Sequence, residues 1–289
     1  MLPTPITTIS LDGRTFYIKR DDLFDFYLAG NKFRKLYTLL QTPKKDLTKV
    51  ISYGGTQSNA MVAIAALCKE KGWTFEYYTK PVSSFLKEQK KGNYIDALNF
   101  GMQHIELEEN LYRDFVASLS VTLDEKTFVI HQGGANKEAL FGLEVLAQEL
   151  LQANVKFDAI ATPSGTGTTA LFLAKNIPHV KVYTTPCIGD VEYLKTQMLA
   201  LEPTLPKNLV ILEPKQKYHF AKPYNHFFAI YEKLLDAGVE FDLLYAPAMW
   251  EALLEQTKET VLYIHSGGVS GNATMQERYV RKFSVMPPK

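Results

Sequence analysis

A lysine that follows a glycine turn and opens a helical stretch is poorly placed as a plain cation. In Ala29-Gly30-Asn31-Lys32-Phe33-Arg34-Lys35 the side chain of Lys32 stands at the positive end of the helix dipole. That end disfavours an ammonium and suits an amine that forms an imine. The plainer alternative is a solvated helix face made of Lys32, Arg34 and Lys35. A second segment, Ser52-Tyr53-Gly54-Gly55-Thr56-Gln57-Ser58-Asn59, joins a strand to an alanine-rich helix. Its hydroxyl and amide groups lie where backbone N–H groups are free, so the turn can hold a carboxylate. Ser58 can equally serve only as a helix N-cap. A third segment supplies Gly165 and Gly167 for close backbone approach, with Ser164, Thr166, Thr168 and Thr169 as hydroxyl donors ahead of the helical ALFLAK. In chemical terms this is a phosphate cup; the bland reading is a tight turn. It lacks the Walker lysine and the GxGxxG spacing, and no acidic residue closes the next strand, so a phosphate monoester fits better than a nucleotide. Near the end, Ile264-His265-Ser266-Gly267-Gly268 puts a small hydroxyl at a strand terminus. His265 has no accompanying carboxylate or serine pattern and reads as a core or interface histidine.

Elements must bring these segments together. Strand-like runs at 50–53, 74–79, 128–131, 157–162, 180–185, 209–212 and 261–265 alternate with helix-period stretches. Such alternation predicts an α/β fold of parallel sheets flanked by helices. Glycine turns follow several strand ends, and in open α/β sheets ligands collect there, so one shared site is expected. At 289 residues two lobes with a cleft between them are expected. The net charge of +1 gives no electrostatic reason to expect nucleic acid or a membrane surface. Cys68 and Cys187 are too few for a disulfide framework and form no CxxC or CxxH pair, so buried thiols in a reducing compartment are expected and no metal. The N-terminus MLPTPITTIS lacks a basic segment followed by an apolar one, and no apolar run approaches the roughly 18 residues that span a bilayer. The expected location is therefore the cytoplasm.

Taken in order, the segments resemble the D-cysteine desulfhydrase and 1-aminocyclopropane-1-carboxylate deaminase family, which is pyridoxal-phosphate dependent and of fold type II. Gly30 to Lys35 coincides with the family's Gly-Asn-Lys-x-Arg-Lys motif, which implies Lys32 as the lysine that carries pyridoxal 5'-phosphate and Lys35 as a phosphate contact. Gly54 to Asn59 coincides with Gly-Gly-x-Gln-Ser-Asn, implying that Gln57, Ser58 and Asn59 hold the substrate carboxylate and that Asn59 faces the cofactor's phenolic oxygen. The turn Gly165-Thr166-Gly167-Thr168-Thr169 looks like the phosphate loop, and Gln132 to Asn136 resembles the turn leading back to the large domain. The family's His-Thr-Gly-Gly becomes His265-Ser266-Gly267-Gly268, implying Ser266 as partner of the pyridine nitrogen. Tyr245 corresponds to one active-site tyrosine and Tyr224 is matched to the second.

Departures refine the expectation. Ala60 stands where the family usually has a histidine, and Asp242-Leu243-Leu244-Tyr245-Ala246-Pro247-Ala248 lacks the glycine and lysine that usually follow the tyrosine. Ala246 replaces the glutamate of the deaminase branch, which turns the reading away from cyclopropane ring opening. The resemblance implies a larger cofactor-binding domain of residues 1–44 plus 151–289, a smaller inserted one of 45–150, and a homodimer. It also implies a lyase or deaminase acting on a small amino acid, with β-elimination of D-cysteine to pyruvate, ammonia and sulfide in first place. Lys32, Ser58 and Tyr245 would be its catalytic residues, with Lys32 both tether and base. The alternatives are the cyclopropane deaminase, another small amino-acid dehydratase or racemase, or a degenerate relative that binds the cofactor without turnover.

Overall fold

The computed structural model describes residues 3–88, 92–119 and 124–284. Its strands are β1 (Ile6–Leu11), β2 (Arg14–Lys19), β3 (Lys49–Tyr53), β4 (Thr74–Thr79), β5 (Gln103–Glu106), β6 (Thr127–Ile130), β7 (Ala159–Ala161), β8 (Lys181–Thr184), β9 (Leu209–Ile211) and β10 (Val261–Ile264). They make two sheets, one of six strands in the order β1-β2-β10-β7-β8-β9 and one of four in the order β5-β4-β3-β6. The smaller sheet is parallel throughout, and in the larger only β1 and β2 run antiparallel. Every residue of β7 and β10 is buried, as expected for central parallel strands covered on both faces. The expected α/β architecture is therefore present.

The β1–β2 hairpin was not among the expected elements. Its turn is Asp12-Gly13, both at positive φ (47° and 75°), the conformation that lets two twisted strands reverse tightly. By pairing with β10 it carries the chain directly to Lys32.

We assign the helix Ala139–Leu151 to the larger lobe, not to the 45–150 insertion, because Leu143, Leu146 and Leu150 share a core with Ile160 of β7 and Leu262 of β10. It also buttresses the short helix Asn31–Lys35: a Cβ on Gly142 would lie 1.9 Å from the Arg34 carbonyl oxygen. Arg34 is fully buried between two carboxylates, at 2.8 Å from Asp21 and 2.7 Å from Glu149. Glu149 also takes Lys19 at 2.6 Å. Arg34 is thus ion-paired inside the protein and Lys35 is buried, which corrects the solvated-face alternative: the Arg34 pairs anchor the helix that presents Lys32. A buried cluster of this kind is tolerated only because each charge has a partner.

Candidate active site

Lys32 and Lys35 reach a cavity of about 230 Å³ between the two lobes. Gly30 makes this possible. Its φ of 59° and missing side chain let the start of the helix press on the end of β10, where a Cβ would come within 2.0 Å of the Ser266 carbonyl carbon. Asn31 N–H donates to that carbonyl at 3.2 Å, so Lys32 and Ser266 are brought together by backbone contact. The Lys32 amine donates to Asn31 Oδ1. Burial pushes its pKa down to about 8, against the pull of the Asp242 carboxylate. Lys35 lies well below the usual lysine range because of burial and then the neighbouring Lys32, and it donates to Gly133 O at 2.9 Å.

The smaller lobe contributes the turn after β3. Gln57, Ser58 and Asn59 all border the cavity. Ser58 caps the helix Asn59–Lys71, its Oγ accepting from Met61 N–H at 3.3 Å, so the capping role and a place in the cavity coexist. Asn59 Oδ1 accepts from Asn93 Nδ2 at 2.7 Å, and Asn93 Oδ1 accepts from Ser270 Oγ at 3.0 Å. This chain of bonds fixes which way the Asn59 amide faces. Tyr77, on β4, braces the turn from behind, its hydroxyl donating to Gly55 O at 3.1 Å. Asn93 and Tyr77 are missed by sequence reasoning, because an asparagine opening a helix and a tyrosine in a strand carry no motif.

At the other wall, Gly165 and Thr166 line the cavity and lead into the helix Thr168–Asn176. Gly167 takes φ 76°, and the Thr166 and Thr168 hydroxyls bond each other at 2.9 Å. Thr169 Oγ1 is buried without a hydrogen-bond partner in the first turn. A buried hydroxyl is rarely left so. Gly167, Thr168 and Thr169 lie behind the lining, and it is Gly165 and Thr166 beside the free N–H groups of the helix start that suit a phosphate.

Tyr245 borders the same space, its ring packed near Gly165 and Phe220. Burial, the Asp242 charge and Cys187 all push its hydroxyl above the usual range, so it stays a neutral donor. Asp242 lies behind it, 2 % exposed, accepting from Tyr245 N–H at 2.6 Å and Leu244 N–H at 3.0 Å. Burial raises the Asp242 carboxyl to about 6, opposed by those N–H donors and by Lys32.

Tyr224 is not brought to the cavity. Its hydroxyl accepts from His219 N–H at 3.0 Å and its ring packs on Tyr218 and Phe227. The residue that segment sends to the cavity is Phe220. His265 is a core residue, as its sequence context suggests: Gly267 N–H donates to Nδ1 at 3.1 Å, Nε2 faces Glu240 O at 2.8 Å, and the ring stacks on Phe241 at 4.3 Å. Both cysteines are free and buried.

A family model described as pyridoxal-phosphate dependent enzyme matches residues 1–209. The chain belongs to that family. Its cofactor is therefore pyridoxal phosphate, and the cavity fits it: an amine of lowered pKa, a glycine–threonine turn at a helix start, and a serine just past a strand end. A Thermotoga maritima protein provisionally named 1-aminocyclopropane-1-carboxylate deaminase is 29% identical, over 96% of this chain and 97% of that one. The bifunctional D-cysteine desulfhydrase/1-aminocyclopropane-1-carboxylate deaminase of Arabidopsis thaliana is 24% identical, over 93% of this enzyme and 77% of the plant protein. Among solved structures, a homologue of the cyclopropane deaminase superposes with a TM-score of 0.72 at 22% identity, covering 96% of this chain and 94% of that one. The resemblance read from the motifs is thus matched by whole-chain relatives. Among the described residues no helix is long and apolar enough to cross a membrane.

Proposed function

We propose that the enzyme is a lyase that eliminates a β-substituent from a small amino acid, with cysteine, in the D configuration, as its substrate. The observation that carries this is the composition of the cavity. Among the described residues it has two lysines, several hydroxyls and amides, and no carboxylate. Pyridoxal phosphate, when bound, supplies an electron sink for charge developing at the substrate's α-carbon. Lys32 would hold it, with Lys35 and the Gly165–Thr169 turn at its phosphate and Ser266 at the pyridine nitrogen. A hydroxyl there holds that nitrogen less firmly protonated than a carboxylate would, which favours prompt loss of a leaving group.

The chain's own groups then divide the work. Gln57, Ser58 and Asn59 grip the substrate carboxylate. The amine of Lys32, with a pKa of about 8, is neutral in a useful fraction near neutral pH and takes the α-proton. The neutral Tyr245 hydroxyl donates a hydrogen bond to the departing sulfur as the carbon–sulfur bond breaks. Cysteine and water thus give pyruvate, ammonia and hydrogen sulfide. Ring opening of the cyclopropane substrate finds less support, since Ala246 offers no carboxylate beside Tyr245.

The deciding assay measures sulfide and pyruvate from D- and L-cysteine beside ammonia from 1-aminocyclopropane-1-carboxylate, with Lys32→Ala as control. Sulfide from D-cysteine in excess of both others, lost in the variant, is expected. Turnover of the cyclopropane substrate alone would refute the reading.

A further inference from the structure

We infer that Phe220 is the specificity-determining residue of this enzyme, closing the side-chain end of the cavity to charged and bulky β-substituents. The inference rests on the lyase reading above and concerns a residue that reading leaves without a role.

Three observations meet at Phe220. First, part of the cavity lining is apolar. Beside the amides and lysines it includes Phe220 and Ile188, both of which lie near the Tyr245 ring and make an apolar wall there. A side chain bearing a carboxylate would have to shed its water against that wall without a cation, and a site of this kind rejects such a group strongly. Second, Phe220 packs against the group proposed to meet the leaving substituent, its ring 5.3 Å from the Tyr245 ring.

Third, the segment holding Phe220 is strained and pinned. Ala221 adopts φ 59°, a left-handed conformation that costs a residue with a Cβ and persists only where the surroundings impose it. Arg278 donates to Ala221 O at 3.0 Å, Lys282 to Pro223 O at 2.7 Å, and Lys222 N–H to His219 O at 3.1 Å. On the other flank, Tyr218 donates to Glu251 at 2.5 Å. Held from both sides, the segment keeps a phenylalanine that is 37% exposed at the cavity rather than folding it into the core.

The test uses the cofactor-loaded enzyme and its Phe220→Ala variant with alanine, cysteine, S-benzylcysteine and aspartate. Two readouts are taken: the apparent Kd from the spectral change of the bound cofactor, and kcat/KM for pyruvate release. Removing the ring should raise S-benzylcysteine relative to cysteine by about tenfold or more in either readout, the scale on which an apolar pocket discriminates. Alanine binding should stay within about twofold, and aspartate should bind the wild type poorly. An unchanged ratio with alanine binding intact would overturn the inference. If neither protein releases pyruvate, but the ratio of Kd values still shifts, the lyase reading fails and the wall stands. Should Phe220→Ala not fold, Phe220→Leu keeps the apolar packing and carries the same comparison.

Discussion

Lys32 has two demands on it: to be neutral often enough to react, and basic enough to accept a proton. Burial lowers its pKa to about 8, and the Asp242 carboxylate works in the opposite sense by favouring the ammonium. The fraction of free amine therefore rises as pH passes upward through about 8. Asp242→Asn keeps a side-chain oxygen that can accept from the N–H groups of Leu244 and Tyr245 but removes the charge. The midpoint should then move to lower pH, which the pH dependence of acylation of Lys32 in cofactor-free protein would show by peptide mass. A midpoint that rose or stayed would rule out that coupling. Tyr245→Phe should slow turnover by about 10²-fold or more without abolishing it, the range seen for general acid–base help, as steady-state rates would show. Lys32→Ala should lose both turnover and the visible band that borohydride removes. That Lys32, Ser58 and Ser266 border one cavity was legible because each sits beside a glycine turn that marks the end of a strand or the start of a helix. Phe220 was not. Tyr224 carries the more chemical side chain, and nothing in the composition of that stretch signals that Ala221 is left-handed and turns its neighbour toward the cavity.

At the scale of elements, the lysine proposed to carry the cofactor depends on a helix of five residues, Asn31–Lys35, too short to be stable alone. It is held by the ion pairs of Arg34 and by the helix Ala139–Leu151, whose Gly142 permits contact with the Arg34 backbone. Gly142→Ala should push the two helices apart and cost about 1–3 kcal/mol, the usual penalty of overpacking. Thermal denaturation would register the loss, and cofactor titration should show weakened binding, since Lys32 moves with its helix. An unchanged Tm would mean that the contact relaxes freely. The helix itself was readable from its apolar period, but not the lobe it packs on, because an amphipathic stripe says that a face is buried and not against which sheet. The β1–β2 hairpin carries its signal in Asp12-Gly13, but it is antiparallel and stands outside the strand–helix alternation that runs from residue 50 onward.

For the molecule as a whole, the site is a joint product. The larger lobe brings the lysines, the Gly165–Thr166 turn and Ser266, and the smaller brings the Gln57–Asn59 turn, all around one cavity. A ligand that bonds to both sides favours the folded state by mass action. Pyridoxal phosphate at a hundred times its Kd should add about 2.7 kcal/mol to stability, and its removal should lower Tm correspondingly. A Tm independent of cofactor would mean that binding does not need the folded cavity.

The smaller lobe enters the chain at β3 and leaves at β6, which are neighbours in one sheet, with Thr48 N–H donating to Lys126 O at 2.9 Å and Lys49 paired with Thr127. Because the two strands are parallel, the lobe begins at one end of its sheet and leaves at the other, a strand length apart at roughly 3.3 Å per residue. The lobe is thus no detachable cassette: Leu28, Leu36 and Leu39, on either side of Lys32, are buried in one core with Val62, Ile64 and Leu67, so cutting the lobe out would strip the flank of the segment that presents Lys32.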